Sequence, residues 1–453
     1  MATVLEKIAG QIVSRTSFSP VAMARAQEAV IDTIGCMLAG AADPAPQSVA
    51  RAFCANISAN GASVILRDGR ASPSVAALIN GTAAHCLDFD DNFHPARAHA
   101  SAVLVPALLS IATADATISG RQFLRAYLAG LEAQAAVGFG VNPSHYNRGW
   151  HGTSTVGCIG TAAGVAALLN LNAMGIARAM SIATSFAAGP KGQFGTSAKP
   201  LHAGMAARNA VEAALLAQAG MSGRLDILER PQGFLDLFGG EASAGWQALS
   251  AGDSHVIETH GLVTKRHPCC ASTHRAIDAA LDLQIEYGFS LDDVLSVETK
   301  VGRSAVDNLA YPDPVDEMQA RFSMQYCLAT ALHQGRLSLT DFTTTAILRP
   351  EIRRHMPKIS MSAYSAAEEH GTERLPHQVS VNLRDGRSLK TERLHATGST
   401  AMPLTDADRR SKFADCLRWA GLKTEETHGA FLKFEDAVSL RGVLDGFEWS
   451  AAS

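Results

Sequence analysis

The sequence predicts a mainly α protein in which a large all-helical domain is interrupted by a smaller α+β domain. Three observations lead to this fold class. Apolar residues recur at helical spacing through the first half of the chain, clear strand-like alternation begins only near residue 290, and a helical pattern returns after Thr397. We therefore assign residues 1–264 and 397–453 to the helical domain and residues 265–396 to the α+β domain.

The first long helix shows how the helices are delimited. Ser19 is a suitable N-cap, Pro20 occupies the first helical position, and Gly40 ends the apolar run. The apolar positions between them recur at helical spacing: Met23, Ala26, Val30, Ile34 and Met37. Similar alanine-rich helices are predicted over residues 101–116, 121–139, 153–170, 173–187 and 203–220.

The α+β segment carries two strand patterns. LSVETKV at 295–301 alternates as a half-buried strand does, and residues 377–394 contain a second alternating run followed by Asp385-Gly386. That dipeptide between two strands indicates a β-hairpin. Helical patterns are predicted over residues 278–288, 324–335 and 406–421.

Composition excludes several classes of protein. Of the 453 residues, 47% are hydrophobic and 18% are charged, which indicates a well-buried globular protein of two domains or three. The net charge of −4 and the pI near 6.5 argue against nucleic-acid binding. The uncharged run between His151 and Arg178 carries small residues typical of closely packed helices, and we expect a buried helix rather than a membrane span.

The cysteines and the N-terminus indicate the compartment. The eight cysteines are scattered and form no CxxC pair. The first residues, MATVLEKIAGQIVSR, contain no apolar signal core. We therefore expect a cytoplasmic protein whose thiols stay reduced and free.

The stretch HCLDFDDNFHPARAHAS, residues 85–101, concentrates ionisable groups in an otherwise apolar chain. Besides Arg97 it holds three carboxylates and three histidines: Asp88, Asp90, Asp91, His85, His94 and His99. Three interpretations stay open at this point, namely metal ligation, proton transfer and helix capping in a wet surface loop. The spacing matches no familiar metal motif, and the aspartates are equally suited to capping the helix that begins near Ser101.

Three further polar clusters have a common form. They are RGWHGTST at 148–155, GPKGQFGTSAKPLHAGMAARN at 189–209 and KRHPCCASTHRAID at 265–278. Each is a loop containing glycine or proline that runs into an apolar helix. Such loops direct backbone N–H groups and the positive end of a helix at the same point, and these suit anions.

Nucleophilic and nucleotide-binding chemistry have weaker signals. No G-x-S-x-G elbow accompanies His151 and Ser154. Cys270 beside His267 or His274 stays open as a nucleophile, although burial is the commoner reason for a free cysteine. GPKGQFGTSAK departs from the order of a phosphate-binding loop and follows no strand, so we interpret it as a capping loop.

Proton transfer on an anionic substrate accounts for most of these residues together. Four cations are suited to binding carboxylates: Arg97, Lys199, Lys265 and Arg266. His99 and His151 titrate near neutrality and are natural acid–base groups. Asp90 or Asp91 is suited to orienting a histidine, or to taking a proton itself where burial raises its pKa.

Read together, four motifs resemble the 2-methylcitrate dehydratase (MmgE/PrpD) family: HCLDFDD followed by H-x-S, GWHxTST, GTSAKPLHAGMAARN and KRHPCCASTH. The resemblance extends to QGFLDLFGG and RFSMQYCLATALHQGRLSLTDF, so it covers nearly the whole chain. It implies a helical domain with an α+β lid domain, a site in the cleft between them, a homodimer, and chemistry without a metal or other cofactor.

The family includes 2-methylcitrate dehydratases, cis-aconitate decarboxylases and iminodisuccinate epimerases. The resemblance therefore implies a cofactor-free lyase, a dehydratase or decarboxylase, acting on a small di- or tricarboxylate beside a carboxylate. One alternative is an epimerase or isomerase of an iminodisuccinate-like dicarboxylate. The other is a non-catalytic carboxylate-binding protein.

Site residues are carried over by motif. The catalytic set implied by the resemblance is His99, His151, Asp91, Lys199, Lys265 and Tyr326. The implied substrate-binding set is Asp88, Asn92, Arg97, His202, Arg266 and Cys270. We expect the two histidines to transfer protons, the two lysines to bind carboxylates and stabilise charge, and Asp91 to orient. Asn92 departs from the dehydratase and decarboxylase pattern, whereas Tyr326 follows it. Cys270 stands where the decarboxylase branch has a histidine, and the loop of Arg97 is closer to the epimerase type.

Overall fold

The computed structural model describes residues 2–65, 69–240, 246, 254–371, 374–422 and 434–444. Within them it confirms a mainly α fold with small sheets. The helices before residue 265 are α1 Val4–Ser14, α2 Pro20–Gly40, α3 Pro44–Ala52, α4 Pro73–His85, α5 Ser101–Ala112, α6 Gly120–Val141, α7 Ser144–Asn147, α8 Val156–Leu168, α9 Ala173–Thr184, α10 Ala198–Gln218 and α11 Val256–Thr259.

The helices after residue 265 are shorter on average. They are α12 Ala271–Tyr287, α13 Arg303–Asn308, α14 Glu317–Ala320, α15 Met324–Gln334, α16 Thr344–Ile347, α17 Pro350–Arg353, α18 Ala366–Glu369 and α19 Asp406–Trp419. The strands are β1 Ile57–Ser58, β2 Ala62–Ser63, β3 Arg70–Ala71, β4 Val294–Val301, β5 Ile359–Ala363, β6 His377–Leu383 and β7 Ser388–Arg393.

Helix α2 confirms the predicted delimiters. The Ser19 hydroxyl accepts a hydrogen bond from the backbone N–H of Ala22 at 3.0 Å, and the helix ends at Gly40. The other predicted alanine-rich helices correspond to α5, α6, α8, α9 and α10, with ends shifted by a few residues. Helix α1 was not anticipated, although Thr3 and Glu6 form a capping box that marks its start.

Small residues bring α6 and α8 into close contact, as the glycine spacing indicated. A Cβ at Gly160 would lie 2.4 Å from the backbone nitrogen of Gln134, and one at Gly164 would lie 2.9 Å from the carbonyl oxygen of Ala126. Only glycine therefore allows this separation of the two helices. Among the described residues, no helix is both long enough and apolar enough to cross a membrane.

The α+β part contains a four-stranded sheet in the order β5-β4-β6-β7. Strands β4 and β5 are parallel, whereas β4–β6 and β6–β7 are antiparallel. The hairpin predicted at Asp385-Gly386 is confirmed, and Gly386 adopts a positive φ of 92° in its turn. Strand β5 was missed, and the two-residue strands β1, β2 and β3 are too short to show alternation in sequence.

Two large apolar clusters occupy different parts of the chain. One joins the helices before residue 265 to Phe413, Leu417 and other residues near the C-terminus, and the second lies between residues 269 and 389. Lys412 of α19 anchors this return, since its ammonium lies 2.8 Å from the Phe89 carbonyl oxygen and 2.8 Å from Asp32. Both clusters agree with the interrupted organisation, and its exact boundaries stay a prediction.

Candidate active site

The polar segment between α4 and α5 forms one wall of a cavity. Its backbone pairs with the chain just before the α+β part, because Asn92 N donates to the Val263 carbonyl at 2.9 Å and Val263 N donates back at 2.8 Å. The cavity measures about 340 Å³ and is walled on its other side by α12, α13 and the ends of the β6–β7 hairpin. It therefore lies between the helical and α+β parts and has the size of a small-molecule site.

Asp88 joins two lysines at the inner end of this cavity. Its carboxylate contacts the ammonium of Lys199, and its second oxygen lies 2.9 Å from the ammonium of Lys265. Burial alone would raise the pKa of Asp88, but the two ammonium groups outweigh it and hold this pKa well below the usual range. The three ionised side chains carry a net charge of +1 at the cavity wall, which suits an anion.

The carboxylate of Asp90 contacts the rings of two histidines, His85 and His99. Its Oδ2 lies 2.9 Å from Nδ1 of His85 and 3.0 Å from Nδ1 of His99. The two imidazoles overcome the effect of burial and hold the pKa of Asp90 well below the usual range. An ionised carboxylate can only accept hydrogen bonds, so the hydrogen bond to His85 requires a proton on Nδ1 of that ring. The 3.0 Å approach of the His99 Nδ1 to the same carboxylate favours the same tautomer, in which Nε2 keeps its lone pair. His99 thus presents a basic nitrogen on the side away from Asp90.

The imidazoles of this cluster are neutral at rest. Burial, opposed by Asp90, lowers the pKa of His99, and burial lowers that of His85 to about 3. Burial, with the nearby His85 and Lys199, holds the pKa of His151 well below 6.5. The His151 ring lies 5.8 Å from that of His85, and its Nδ1 lies 3.2 Å from Nδ1 of His202. His202 does not line the cavity, and its contact with the site is through the ring of His151.

Asp91 has a different environment from its two neighbours. It accepts hydrogen bonds from the backbone N–H of Ser101 at 3.3 Å and from the Ser101 hydroxyl, which also lies 2.7 Å from the Tyr127 hydroxyl. Its described contacts thus place it at the N-terminus of α5, and Asp90 contacts the histidines that Asp91 was expected to orient. Burial raises the pKa of Asp91 to about 7.

This pKa leads to a prediction on stability. Because the pKa of Asp91 is about 7 in the folded chain and 3.8 ordinarily, its stabilising contribution is complete below pH 4 and is lost as the pH rises through 7. Asp91→Asn keeps an acceptor for Ser101 and is expected to flatten the fall in thermal midpoint between about pH 5 and about pH 8. Two pH units of linkage in that interval correspond to at most ~3 kcal/mol in the free energy of unfolding. Equal slopes in the variant, the unmodified chain and the exposed control Asp406→Asn would contradict this.

Seven of the predicted site residues line the cavity: Asp88, Asn92, Arg97, His99, His151, Lys199 and Cys270. The other five do not: Asp91, His202, Lys265, Arg266 and Tyr326. Lys265 lies behind Asp88 and donates to its backbone carbonyl at 2.6 Å. The Tyr326 hydroxyl is buried and donates to the carbonyl of Asp341, because α15 turns it into the α+β core. Arg266 is exposed and reaches Asp278 at 3.5 Å.

Sequence reasoning overlooked several residues that the fold brings to the cavity. They are Tyr146, Asn308, Arg275, Arg374 and His377. Tyr146 and Asn308 contact each other through the Tyr146 hydroxyl, at 3.3 Å from the Asn308 amide nitrogen. Arg275 lies in the motif KRHPCCASTHRAID, three residues after Ser272, which also lines the cavity. Residues three apart lie on the same face of a helix, so this spacing on α12 was the available signal. The others lie outside any motif.

Four groups of this cluster also have the composition of a metal site. His85, Asp88, Asp90 and His99 offer ligand atoms within 4.8 Å of one another. Asp88, however, already contacts two ammonium groups, and a divalent cation bound to it would lie against both of them. The charges of the cluster therefore favour an anion in front of it, and the expectation of no metal stays a prediction.

The fold and the site together define a mainly α protein with an anion-attracting cavity that contains neutral imidazoles, an arrangement typical of acid–base enzymes. The chain belongs to the MmgE/PrpD family. Residues 7–247 match the MmgE/PrpD N-terminal domain and residues 267–432 match the MmgE/PrpD C-terminal domain. The family resemblance seen in the motifs is thereby confirmed.

Curated relatives come from two kinds of lyase. Cis-aconitate decarboxylase of Homo sapiens is 29% identical over 444 residues, covering 93% of this chain and 90% of the relative. Cis-aconitate decarboxylase of Aspergillus terreus is 25% identical, covering 81% and 79%. The mitochondrial 2-methylcitrate dehydratase of Yarrowia lipolytica is 27% identical, covering 85% and 78%. These relatives support a lyase acting on carboxylates.

Proposed function

We propose that this chain is a cofactor-free lyase, a decarboxylase or dehydratase, that acts on a small di- or tricarboxylate by acid–base chemistry. The observation that carries the proposal is the inner wall of the cavity, where Lys199 and the Asp88–Lys265 pair lie beside the neutral imidazoles of His99 and His151. The names of the relatives, decarboxylases and a dehydratase, support the same class of reaction.

Lys199 is the cation suited to hold the reacting part of the substrate. It lines the cavity, and its ammonium lies 5.4 Å from the ring centroid of Phe194 and 5.1 Å from that of Phe322. These rings restrict water around the ammonium, and its attraction for a carboxylate is stronger in a dry site than in water. Cleaving a C–H or C–CO₂ bond next to that carboxylate leaves carbanion character, which a fixed positive charge stabilises.

The histidines supply the proton transfers. In a dehydration, Nε2 of one neutral imidazole takes the proton from carbon, and a second, protonated group assists the departing hydroxide. In a decarboxylation, CO₂ leaves and a protonated imidazole donates to the carbanion. A bound polycarboxylate raises the pKa of His99 and His151, since negative charge nearby favours imidazolium. Substrate binding therefore favours the protonated imidazole, which is the form that donates a proton.

Proton NMR in D₂O with EDTA present tests this proposal. The purified protein would be offered cis-aconitate, 2-methylcitrate, citrate and iminodisuccinate separately, with the His99→Asn protein as a control for contaminating activity. We expect a product that has lost CO₂ or water from one of the first three. Deuterium entering an α-carbon without net bond loss would instead support the epimerase alternative, and turnover only after added metal would overturn the cofactor-free mechanism.

The assembly is a part of the proposal that rests on the family resemblance, and the location rests on the scattered cysteines and the N-terminal residues. A homodimer and a cytoplasmic location stay predictions. Light scattering of the purified chain at several concentrations measures the first, and a mass near twice 47.6 kDa is the expected result.

A further inference from the structure

A second group of cations lies at the end of the cavity formed by the α+β part. Arg275 and Arg374 line the cavity there, while Lys199 lines it at the helical part. Among the described residues, Asp88 is the carboxylate that lines this cavity, and its charge is already neutralised by two lysines. The two arginines therefore line the cavity without a further carboxylate among its described lining residues to balance their charge.

Arg275 is held in place by the backbone. Its Nη1 donates to the carbonyl of Leu375 at 2.7 Å and approaches that of Leu394 at 3.4 Å, so it ties together the two ends of the β6–β7 hairpin. Burial, followed by the charge of Arg374, lowers its pKa to about 10. The cost of keeping two such cations together falls when an anion binds between them.

His377 gives an independent indication of a ligand. It begins β6, is fully buried and lines the cavity, yet neither ring nitrogen has a hydrogen-bond partner in the described part of the chain. Buried polar groups are rarely left unpaired, because each costs free energy until a partner is supplied. Burial and Arg275 hold the pKa of His377 well below 6.5, so the ring is neutral and keeps one N–H to donate.

The helical part faces this group across the cavity. His94, from the segment between α4 and α5, also lines the cavity. Desolvation, and then the charges of Arg374 and Arg275, lower the pKa of His94 to about 4. His94 is therefore neutral, and the cation that the helical part contributes to this cavity is Lys199. An anion that reaches from Lys199 to the two arginines would contact both parts of the chain.

We propose that Arg374, Arg275 and His377 form an outer carboxylate subsite, which binds a carboxylate of the substrate distant from the one at Lys199 and makes the enzyme selective for tricarboxylates over dicarboxylates. This inference rests on the proposed function. Arg374 is its most adaptable member, since the described contact of its guanidinium is with Nδ1 of His395 at 3.3 Å. The Arg275 guanidinium already donates to backbone carbonyls of the hairpin, so its role in the subsite is to add a positive charge at a fixed position.

Equilibrium binding tests the subsite without any need for turnover. Calorimetry would compare tricarballylate with succinate, which is the same molecule without one carboxymethyl arm, on the unmodified chain and on Arg374→Gln. We expect Arg374→Gln to weaken tricarballylate binding about ten- to hundredfold and succinate binding less than about twofold, because a charge-assisted hydrogen bond is lost only by the longer ligand. Arg374→Lys should restore part of the loss.

Arg384→Gln is the matched control, since Arg384 is an exposed arginine of the same hairpin whose Nε donates to the backbone carbonyl of Asp292. It is expected to leave both affinities unchanged. Equal weakening of both ligands by Arg374→Gln, or no weakening of tricarballylate, would overturn the subsite, as would a failure of the unmodified chain to bind tricarballylate. Failure of the lyase assay with selective binding intact would overturn the reaction and leave the subsite standing.

Discussion

Replacing His99 by asparagine is expected to lower kcat/KM by about 10²–10⁴-fold, the usual contribution of a positioned acid–base group. Asp90 holds the Nδ1 side of this ring at 3.0 Å, so Nε2 is the nitrogen left for the substrate. Asparagine preserves a polar side chain of similar reach but cannot take up a proton at neutral pH. The loss should therefore fall on kcat, with KM changed little.

The same variant separates chemistry from binding. Tricarballylate affinity is expected to stay within about threefold of the unmodified chain, because a group that acts in the transition state adds little to ground-state binding. His260→Asn is the matched control, as His260 is exposed and outside the cavity lining. A fall in kcat/KM of less than about tenfold in His99→Asn would show that another residue carries the proton transfer.

Asp88→Asn is expected to have the largest effect on stability, a loss of about 3–5 kcal/mol in the free energy of unfolding. The carboxylate contacts both Lys199 and Lys265, and Lys265 is completely buried. Its removal leaves two ammonium groups close together without a counter-charge. Because the pKa of Asp88 is held well below 3.8, its contribution is present above pH 4 and is lost only as the pH falls below that value.

Chemical denaturation at neutral pH measures this loss. Adding Lys265→Met to Asp88→Asn removes one of the uncompensated charges and is expected to recover part of the stability. Glu368→Gln serves as the control, since it breaks the ion pair of Glu368 with Lys300, whose side chains are 44% and 35% exposed, and only a small change in stability is expected. Equal effects of Asp88→Asn and Glu368→Gln would show that the buried triad contributes no more than a surface pair.

Several elements could be predicted because their signals are local. Ser19, Pro20 and Gly40 delimit α2 through interactions within a few residues, and Asp385-Gly386 marks its hairpin for the same reason. The run of ionisable groups between residues 85 and 101 could be singled out from the sequence because buried charged groups are costly in an apolar chain, and part of this run lines the cavity.

The sequence did not predict which of the three neighbouring aspartates contacts which partner. Asp88, Asp90 and Asp91 lie within four residues, yet one binds lysines, one binds histidines and one caps a helix. The positive φ of 51° at Asp88 contributes to this, because it departs from both helix and strand and so breaks any regular alternation of side-chain directions. Tyr326 belongs to a motif but does not line the cavity, because helix α15 directs its side chain into the apolar core of the α+β part.

By itself, the sequence determined the mainly α class with a smaller α+β part, the family and the segments that carry polar chemistry. The tertiary structure decided which groups meet: Asp88 finds its lysines 111 and 177 residues away, and Arg275 and Arg374 reach the same cavity from the α+β part. The physical reason is that caps, turns and apolar periods act over a few residues, whereas burial, pKa and ion pairing depend on which distant segments pack together.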